Sequence, residues 1–297
     1  MLQGDLALNY KDKYSQYLKR FNEQLDIAVK SFSTAPELLK QAMEYAVLDG
    51  GKRIRPVLLM ATAEMLGVEF NQIKEFAVAI ECIHSYSLVH DDLPAMDNDD
   101  YRRGKLSTHK KFGEAFGILA GDALLNFAFE YVLGKSSFSE RDAKALYYLA
   151  NCSGSLGMIA GQVLDLQNEK VNSVSEQLLY NIYENKTAKL IIAPIVIASI
   201  LSGGLEYDNL YGFAYNLGVM FQIADDILDV EGSIDLIGKT PNKDEKSGKL
   251  TAIKVFGLDG AKTKKEEYYI KCKRALAGIK GNEFLMAFTD AIYSRNK

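Results

Sequence analysis

Two acidic runs hold the residues with the clearest capacity for chemistry. The first reads His90-Asp91-Asp92-Leu93-Pro94-Ala95-Met96-Asp97-Asn98-Asp99-Asp100 and follows an apolar stretch from Phe76 to Val89. Pro94 lacks a backbone donor and its ring crowds the preceding turn, so a helix through that stretch must end or kink beside the aspartates. A helix C-terminus already carries partial negative charge. Five aspartates within ten residues therefore repel one another unless a cation compensates. Their hard oxygens suit Mg²⁺, which takes one or two carboxylates and completes its shell with water and substrate phosphate. Taken alone, the run equally suits a solvated acidic loop.

The second run reads Phe221-Gln222-Ile223-Ala224-Asp225-Asp226-Ile227-Leu228-Asp229. Gln222, Asp225, Asp226 and Asp229 fall at i, i+3, i+4 and i+7 and so share one helix face. The interleaved Ile223, Ile227 and Leu228 tie that helix to a core, and three carboxylates on a partly buried helix are hard to explain as structure alone. Facing each other across a cavity, the two runs could hold metal ions that bridge one diphosphate.

Basic residues could complete such a site. Gly50-Gly51-Lys52-Arg53-Ile54-Arg55-Pro56 interrupts an otherwise helical stretch, where each glycine costs ~1 kcal/mol relative to alanine. A turn presenting Lys52 and Arg55 to an anionic substrate supplies a reason, because guanidinium grips phosphate bidentately and ammonium as a point charge; a solvated basic loop is the competing explanation. Arg102-Arg103-Gly104 follows the first acidic run and could instead simply neutralise Asp99 and Asp100. His84 lies seven residues before Asp91, on the same helical face, although a lone helical histidine is more often structural. Lys186-Thr187 and Lys239 are ordinary residues that gain meaning only in this company.

Helices must position these groups. Leu39, Ala42, Met43, Ala46 and Val47 form one apolar stripe, with Thr34 and Glu37 placed for a capping box and Pro36 for the first turn. Similar patterns run through 73–92, 115–133, 141–166, 175–201, 207–230 and 260–293, while alternating runs bounded by turn dipeptides are missing. The pattern predicts an all-α protein. Five prolines and no Pro- or Ser-rich linker leave nothing to mark a boundary, so residues 1–297 read as a single domain.

Composition narrows the function. Of 297 residues 48% are apolar, ample for a large core. A net charge of -4 without a long basic run argues against nucleic acid as a partner. Cys82, Cys152 and Cys272 are few and far apart, which suits a reducing cytoplasm rather than a disulfide framework or zinc site. Asp5 and Asp12 break up the start of the chain, so no secretory signal is expected. The most apolar stretch, Leu190 to Leu201, is twelve residues interrupted by Pro194, short of the ~20 that span a bilayer. It predicts a buried helix and no stable membrane insertion.

Together, GGKRIRP at 50–56, HSYSLVHDDLPAMDNDDYRRG at 84–104, GQVLDL at 161–166, KT at 186–187 and FQIADDILD at 221–229 resemble the trans-isoprenyl diphosphate synthase family, close to its bacterial farnesyl diphosphate synthases. The likeness covers roughly residues 40 to 260. It implies a helical bundle around a central active-site cavity, a homodimer, and Mg²⁺-dependent head-to-tail condensation of isopentenyl diphosphate with dimethylallyl or geranyl diphosphate. By the same resemblance Asp91, Asp92 and Asp97 and then Asp225, Asp226 and Asp229 hold about three Mg²⁺ on the allylic diphosphate. Arg102, Lys186, Thr187, Gln222 and Lys239 match positions that grip the allylic substrate; Lys52, Arg55, His84 and Arg103 match those that bind isopentenyl diphosphate. Tyr86, five positions before Asp91, together with the Pro94-Ala95 insertion goes with a farnesyl product in this family. A geranylgeranyl or other chain length and a non-catalytic partner subunit are the alternatives; no aspartate is lost here, as such subunits tend to lose them. Terpene cyclases and head-to-head synthases are disfavoured, since they are not expected to carry the GGKRIRP and RRG segments. Lys249-Leu250-Thr251-Ala252-Ile253 departs from the family's usual lysine, threonine, tyrosine and proline series, and Arg295-Asn296-Lys297 resembles family tails that fold over the site.

Overall fold

Helical apolar periodicity dominates the sequence, and helices follow it. The computed structural model describes residues 3–48, 50–169, 175–231 and 248–295. Its helices are α1 (Gln3–Val29), α2 (Glu37–Leu48), α3 (Ile54–Met65), α4 (Phe70–Asp91), α5 (Thr108–Phe112), α6 (Glu114–Leu133), α7 (Glu140–Ser153), α8 (Met158–Asn168), α9 (Glu176–Ile182), α10 (Lys189–Ser202), α11 (Tyr207–Glu231), α12 (Ala252–Leu276, kinked at Gly257) and α13 (Glu283–Tyr293). The buried apolar side chains form one contiguous cluster running from α1 to α13. Its centre is α10, whose residues from Leu190 to Ser199 are all buried, Pro194 included. The apolar run there is the buried helix the sequence predicts.

Two long patterns divide. The stretch 141–166 breaks into α7 and α8 at Gly154-Ser155-Leu156-Gly157, where two glycines and a serine interrupt the helix. The stretch 260–293 breaks between α12 and α13, where Gly278 and Gly281 take positive φ. The start of α2 also differs from expectation: Thr34 closes a 3₁₀ turn (Lys30–Thr34) and makes no cap, and the helix begins at Glu37 behind Pro36. Pro36 fixes the entry instead, its carbonyl accepting from the Lys40 amide at 3.0 Å. A further element escaped the pattern, a hairpin of β1 (Tyr101–Arg102) and β2 (Lys105–Leu106) paired antiparallel with Tyr101 opposite Leu106. Its two turn residues, Arg103 and Gly104, have φ of 52° and 80°, the left-handed pair that suits the twist of a tight hairpin.

By length and composition alone, Glu114–Leu133 and Glu176–Ser202 could cross a bilayer, both longer than the twelve-residue run singled out in the sequence. Both are helices of the bundle, and 67% of the apolar window of the second lies buried inside it. The three cysteines are free and buried.

Candidate active site

A cavity of about 860 Å³ opens between the C-terminal end of α4 and the C-terminal part of α11. Asp91 and Asp97 line it from one side, Asp225 and Asp229 from the other. The first pair is set by how α4 stops. Beyond Asp91 the chain doubles back over the helix end, and the amides of Asp97, Asn98 and Asp99 donate to the carbonyls of Asp91, Leu93 and Asp92 at 2.8, 3.1 and 3.1 Å. These bonds satisfy carbonyls that a helix end leaves without partners. Burial pushes the Asp91 carboxyl up to about 6, with Asp97 adding to the rise and Lys186 opposing it. Lys249 reaches Asp97 at 3.2 Å.

Asp92 turns the other way. Only 2% exposed, it accepts a forked contact from Arg102, whose Nε lies 3.0 and 3.2 Å from its two oxygens and whose Nη2 also donates to it. Arg102 reaches Asp99 at 3.4 Å as well, while Asp100 pairs with Lys110 at 2.8 Å. Asp226 departs from its three companions in the same manner. Gln222, Asp225 and Asp229 line the cavity, whereas Asp226 is 3% exposed and accepts from the Ala252 amide at 2.7 Å, from Gln222 Nε2 at 3.0 Å and from the Tyr183 hydroxyl. Helical spacing puts the four on one side of α11; packing against the start of α12 then draws Asp226 behind the wall.

Between α9 and α10 the helix widens into a π-turn, Tyr183–Ala188, a distortion that often marks functional sites. It brings Lys186 and Thr187 to the cavity. Thr187 Oγ1 donates to Gln222 Oε1 at 2.6 Å, and Lys186 Nζ pairs with the buried Asp165. The turn lies directly on α8: a Cβ at Gly161 would sit 2.0 Å from the Lys186 amide nitrogen, so only glycine fits.

The remaining cations approach from the Gly50–Pro56 turn and the hairpin. Arg55 and His84 line the cavity. Burial pushes Arg55 down to about 10 and holds His84 well below its ordinary value, with neighbouring arginines reinforcing the second effect. Lys52 is likewise lowered by burial and by the nearby Arg295 charge. Arg103 donates to the Gly50 carbonyl at 2.9 Å and covers Gly51, where a Cβ would lie 2.8 Å from its Cζ. Arg295 also lines the cavity and reaches Asp225 at 2.8 Å. Lys239, Asn296 and Lys297 lie outside the described residues.

Leu125, Met158, Val163 and Leu166 face the same space, with Tyr86, His90, Asp122 and Gln162 also on its wall. Tyr86 is 4% exposed, its ring set edge-on to His90 at 5.7 Å. Its hydroxyl finds no hydrogen-bond partner among the described residues, and burial pushes its pKa up to about 12. Carboxylates and cations thus share one cavity with a set of apolar side chains.

Residues 36–278 match the family described as Polyprenyl synthetase. The chain belongs to that family. This prenyltransferase is 42% identical over 303 aligned positions to the farnesyl diphosphate synthase of Micrococcus luteus, covering 100% of both chains. It is 39% identical over 296 positions to geranylgeranyl pyrophosphate synthase 4 of Arabidopsis thaliana, covering 98% of this chain and 79% of that one. Among solved structures, a geranyltransferase from Legionella pneumophila superposes with a TM-score of 0.85 at 31% identity, covering 97% and 98% of the two chains. A Helicobacter pylori geranyltransferase complexed with magnesium and isoprenyl diphosphate gives 0.78 at 29% identity, covering 93% and 97%. The prenyltransferase is thus a trans-prenyl diphosphate synthase with the all-α fold of its relatives.

Sequence pattern alone does not mark Asp165, Gln162 or Lys249 as groups of this synthase's site. Asp165 and Gln162 belong to GQVLDL, yet only the structure shows Asp165 holding Lys186 and Gln162 on the cavity wall. Lys249 stood out as the start of an unusual segment. In the structure that segment is docked, with Lys249 on Asp97, Leu250 buried, Thr251 capping α12 and the Ala252 amide on Asp226.

Proposed function

We propose that this synthase is a farnesyl diphosphate synthase, a single domain that works as a cytoplasmic homodimer and adds isopentenyl diphosphate head to tail to dimethylallyl and then geranyl diphosphate. The observation that carries this reading is one cavity lined by carboxylates, by cations and by apolar side chains, with buried Tyr86 in its wall. The residues also suit Mg²⁺. Among the described residues no three His, Cys, Asp or Glu side chains converge on one point; Asp91 and Asp97 come from one helix end, Asp225 and Asp229 from another helix. That is the donor set of a hard ion whose shell is finished by water and diphosphate. Magnesium, known with isoprenyl diphosphate in the Helicobacter relative, would number about three per site and supply charge neutralisation on the departing diphosphate.

Arg102, oriented by Asp92, grips the allylic diphosphate together with Lys186, Thr187, Gln222 and Lys239. Lys52, Arg55, Arg103 and neutral His84 receive isopentenyl diphosphate. Its negative charge relieves the crowding of these cations, which is where part of its binding energy comes from. The allylic C–O bond ionises, the isopentenyl double bond adds to the cation, and an oxygen of the released diphosphate takes the proton. Preorganised cations stabilise the leaving group, and the apolar walls exclude water that would quench the carbocation. Geranylgeranyl synthases at 39% identity make a longer product the second reading; the bulk of Tyr86 favours farnesyl.

Purified protein incubated with geranyl diphosphate, isopentenyl diphosphate and Mg²⁺ should release farnesyl diphosphate, and chelation should stop it. A chain that turns over nothing alone but alters the product of another synthase would replace this reading with that of a partner subunit.

A further inference from the structure

We infer that Arg53 and Glu81 form a buried positioning pair that holds the Gly50–Arg55 turn in the shape that receives isopentenyl diphosphate; the inference rests on the function proposed above. Gly50, Gly51 and Arg53 have φ of 74°, 101° and 49°. Glycine takes such values freely, but in arginine the Cβ crowds the following carbonyl. Backbone of this kind persists where its surroundings over-determine it. Arg53 provides the restraint by turning its own side chain inward. Its Nη1 donates to Glu81 Oε1 at 2.6 Å and its Nη2 to the Val47 carbonyl at 2.8 Å. The two side chains are 3% and 2% exposed.

Lys52 and Arg55 flank Arg53, so any relaxation of its backbone redirects both. The turn has two other ties. From α1 the Tyr14 hydroxyl donates to the Lys52 carbonyl, and from the hairpin Arg103 donates to the Gly50 carbonyl. Glu81 adds the tie to α4, the helix that carries His84 three residues further on. Four of the elements around the isopentenyl site are thereby fixed to one another through this turn. A buried ion pair stabilises a fold little more than apolar side chains of equal volume do. Its distinct property is direction: the planar guanidinium engages the carboxylate and the carbonyl at one set of angles. Direction is what a strained turn between two binding residues requires.

Calorimetry on the full chain tests this, with isopentenyl diphosphate as one ligand and geranyl diphosphate plus Mg²⁺ as the other. Glu81→Gln keeps the shape and removes the charge. The double variant Arg53→Met/Glu81→Leu fills the space with hydrocarbon and removes both members of the pair, so it should fold and melt near the wild type even if Glu81→Gln does not. Binding of isopentenyl diphosphate should weaken ~10-fold or more in the folded variants, as when a binding group is misplaced by a fraction of an ångström. Binding of geranyl diphosphate should weaken by a clearly smaller factor, because none of the residues assigned to it flanks Arg53. A folded double variant that binds isopentenyl diphosphate as tightly as the wild type overturns the inference. Equal weakening of both ligands also overturns it, by marking the pair as general packing. Failure of the wild type itself to bind isopentenyl diphosphate overturns the functional reading and this inference with it.

Discussion

The guanidinium of Arg295 lies 2.8 Å from the carboxylate of Asp225, so the last described residue of the chain stands on an acid assigned to Mg²⁺. Two cations cannot share that carboxylate without cost. Arg295→Ala should therefore lower the Mg²⁺ concentration needed for half-maximal activity by about two- to fivefold, the range a partly exposed ion pair supports. A higher Mg²⁺ requirement in the variant would show that Arg295 helps to build the metal site rather than competing for it.

Adjacent aspartates in α11 should fail in different ways. Asp225 faces the cavity, and Asp225→Ala should lose ~10²-fold or more in turnover with little change in melting temperature, as expected when stabilisation of the leaving group is removed. Asp226 accepts from Tyr183, Gln222 and the Ala252 amide while buried. Asp226→Ala takes the buried acceptor away from the Tyr183 hydroxyl and the Gln222 amide and should cost about 2–4 kcal/mol of stability besides activity. Matching thermal and kinetic profiles for the two variants would contradict the placement of Asp226 behind the wall.

What the sequence reveals and what it hides follow from the physics of each signal. Helical period identified α2, α4, α6 and α11, and it placed His84 and Asp91 on one face, where the cavity indeed finds them. Period does not say what lies opposite a face. Asp226 shares its spacing with Asp225 and Asp229, yet the Ala252 amide, 26 residues away in sequence, decides its direction. Likewise the chain reads Lys52-Arg53-Ile54-Arg55 as a run of cations, and only the position of Glu81 shows that Arg53 points inward. Short elements were lost for a related reason: strands of two residues are too brief to alternate, so the Tyr101–Leu106 hairpin left no periodic trace.

His84 should leave a mark on stability. Burial and the charges of Arg55, Arg103, Arg53 and Arg102 hold it well below the usual 6.5. The folded chain keeps this imidazole neutral at pH values where the unfolded chain takes up a proton. Stability from the neutral form is complete above the unfolded value and is lost as the pH falls below it, by about 1.4 kcal/mol per pH unit. His84→Asn removes the titration. Between about pH 7 and pH 5 the melting temperature of the wild type should therefore fall more steeply than that of the variant; parallel slopes would mean that His84 titrates normally in the fold.

The central claim is that one cavity carries both the chemistry and the limit on product length. Tyr86, buried in the wall of that cavity, tests both together. Truncation to alanine opens an apolar space that a growing chain, rather than water, can fill. In a single assay with geranyl diphosphate, isopentenyl diphosphate and Mg²⁺, the wild type should stop at farnesyl diphosphate and Tyr86→Ala should release geranylgeranyl diphosphate or longer chains with the same metal dependence. An active Tyr86→Ala variant that still stops at farnesyl diphosphate would contradict the account.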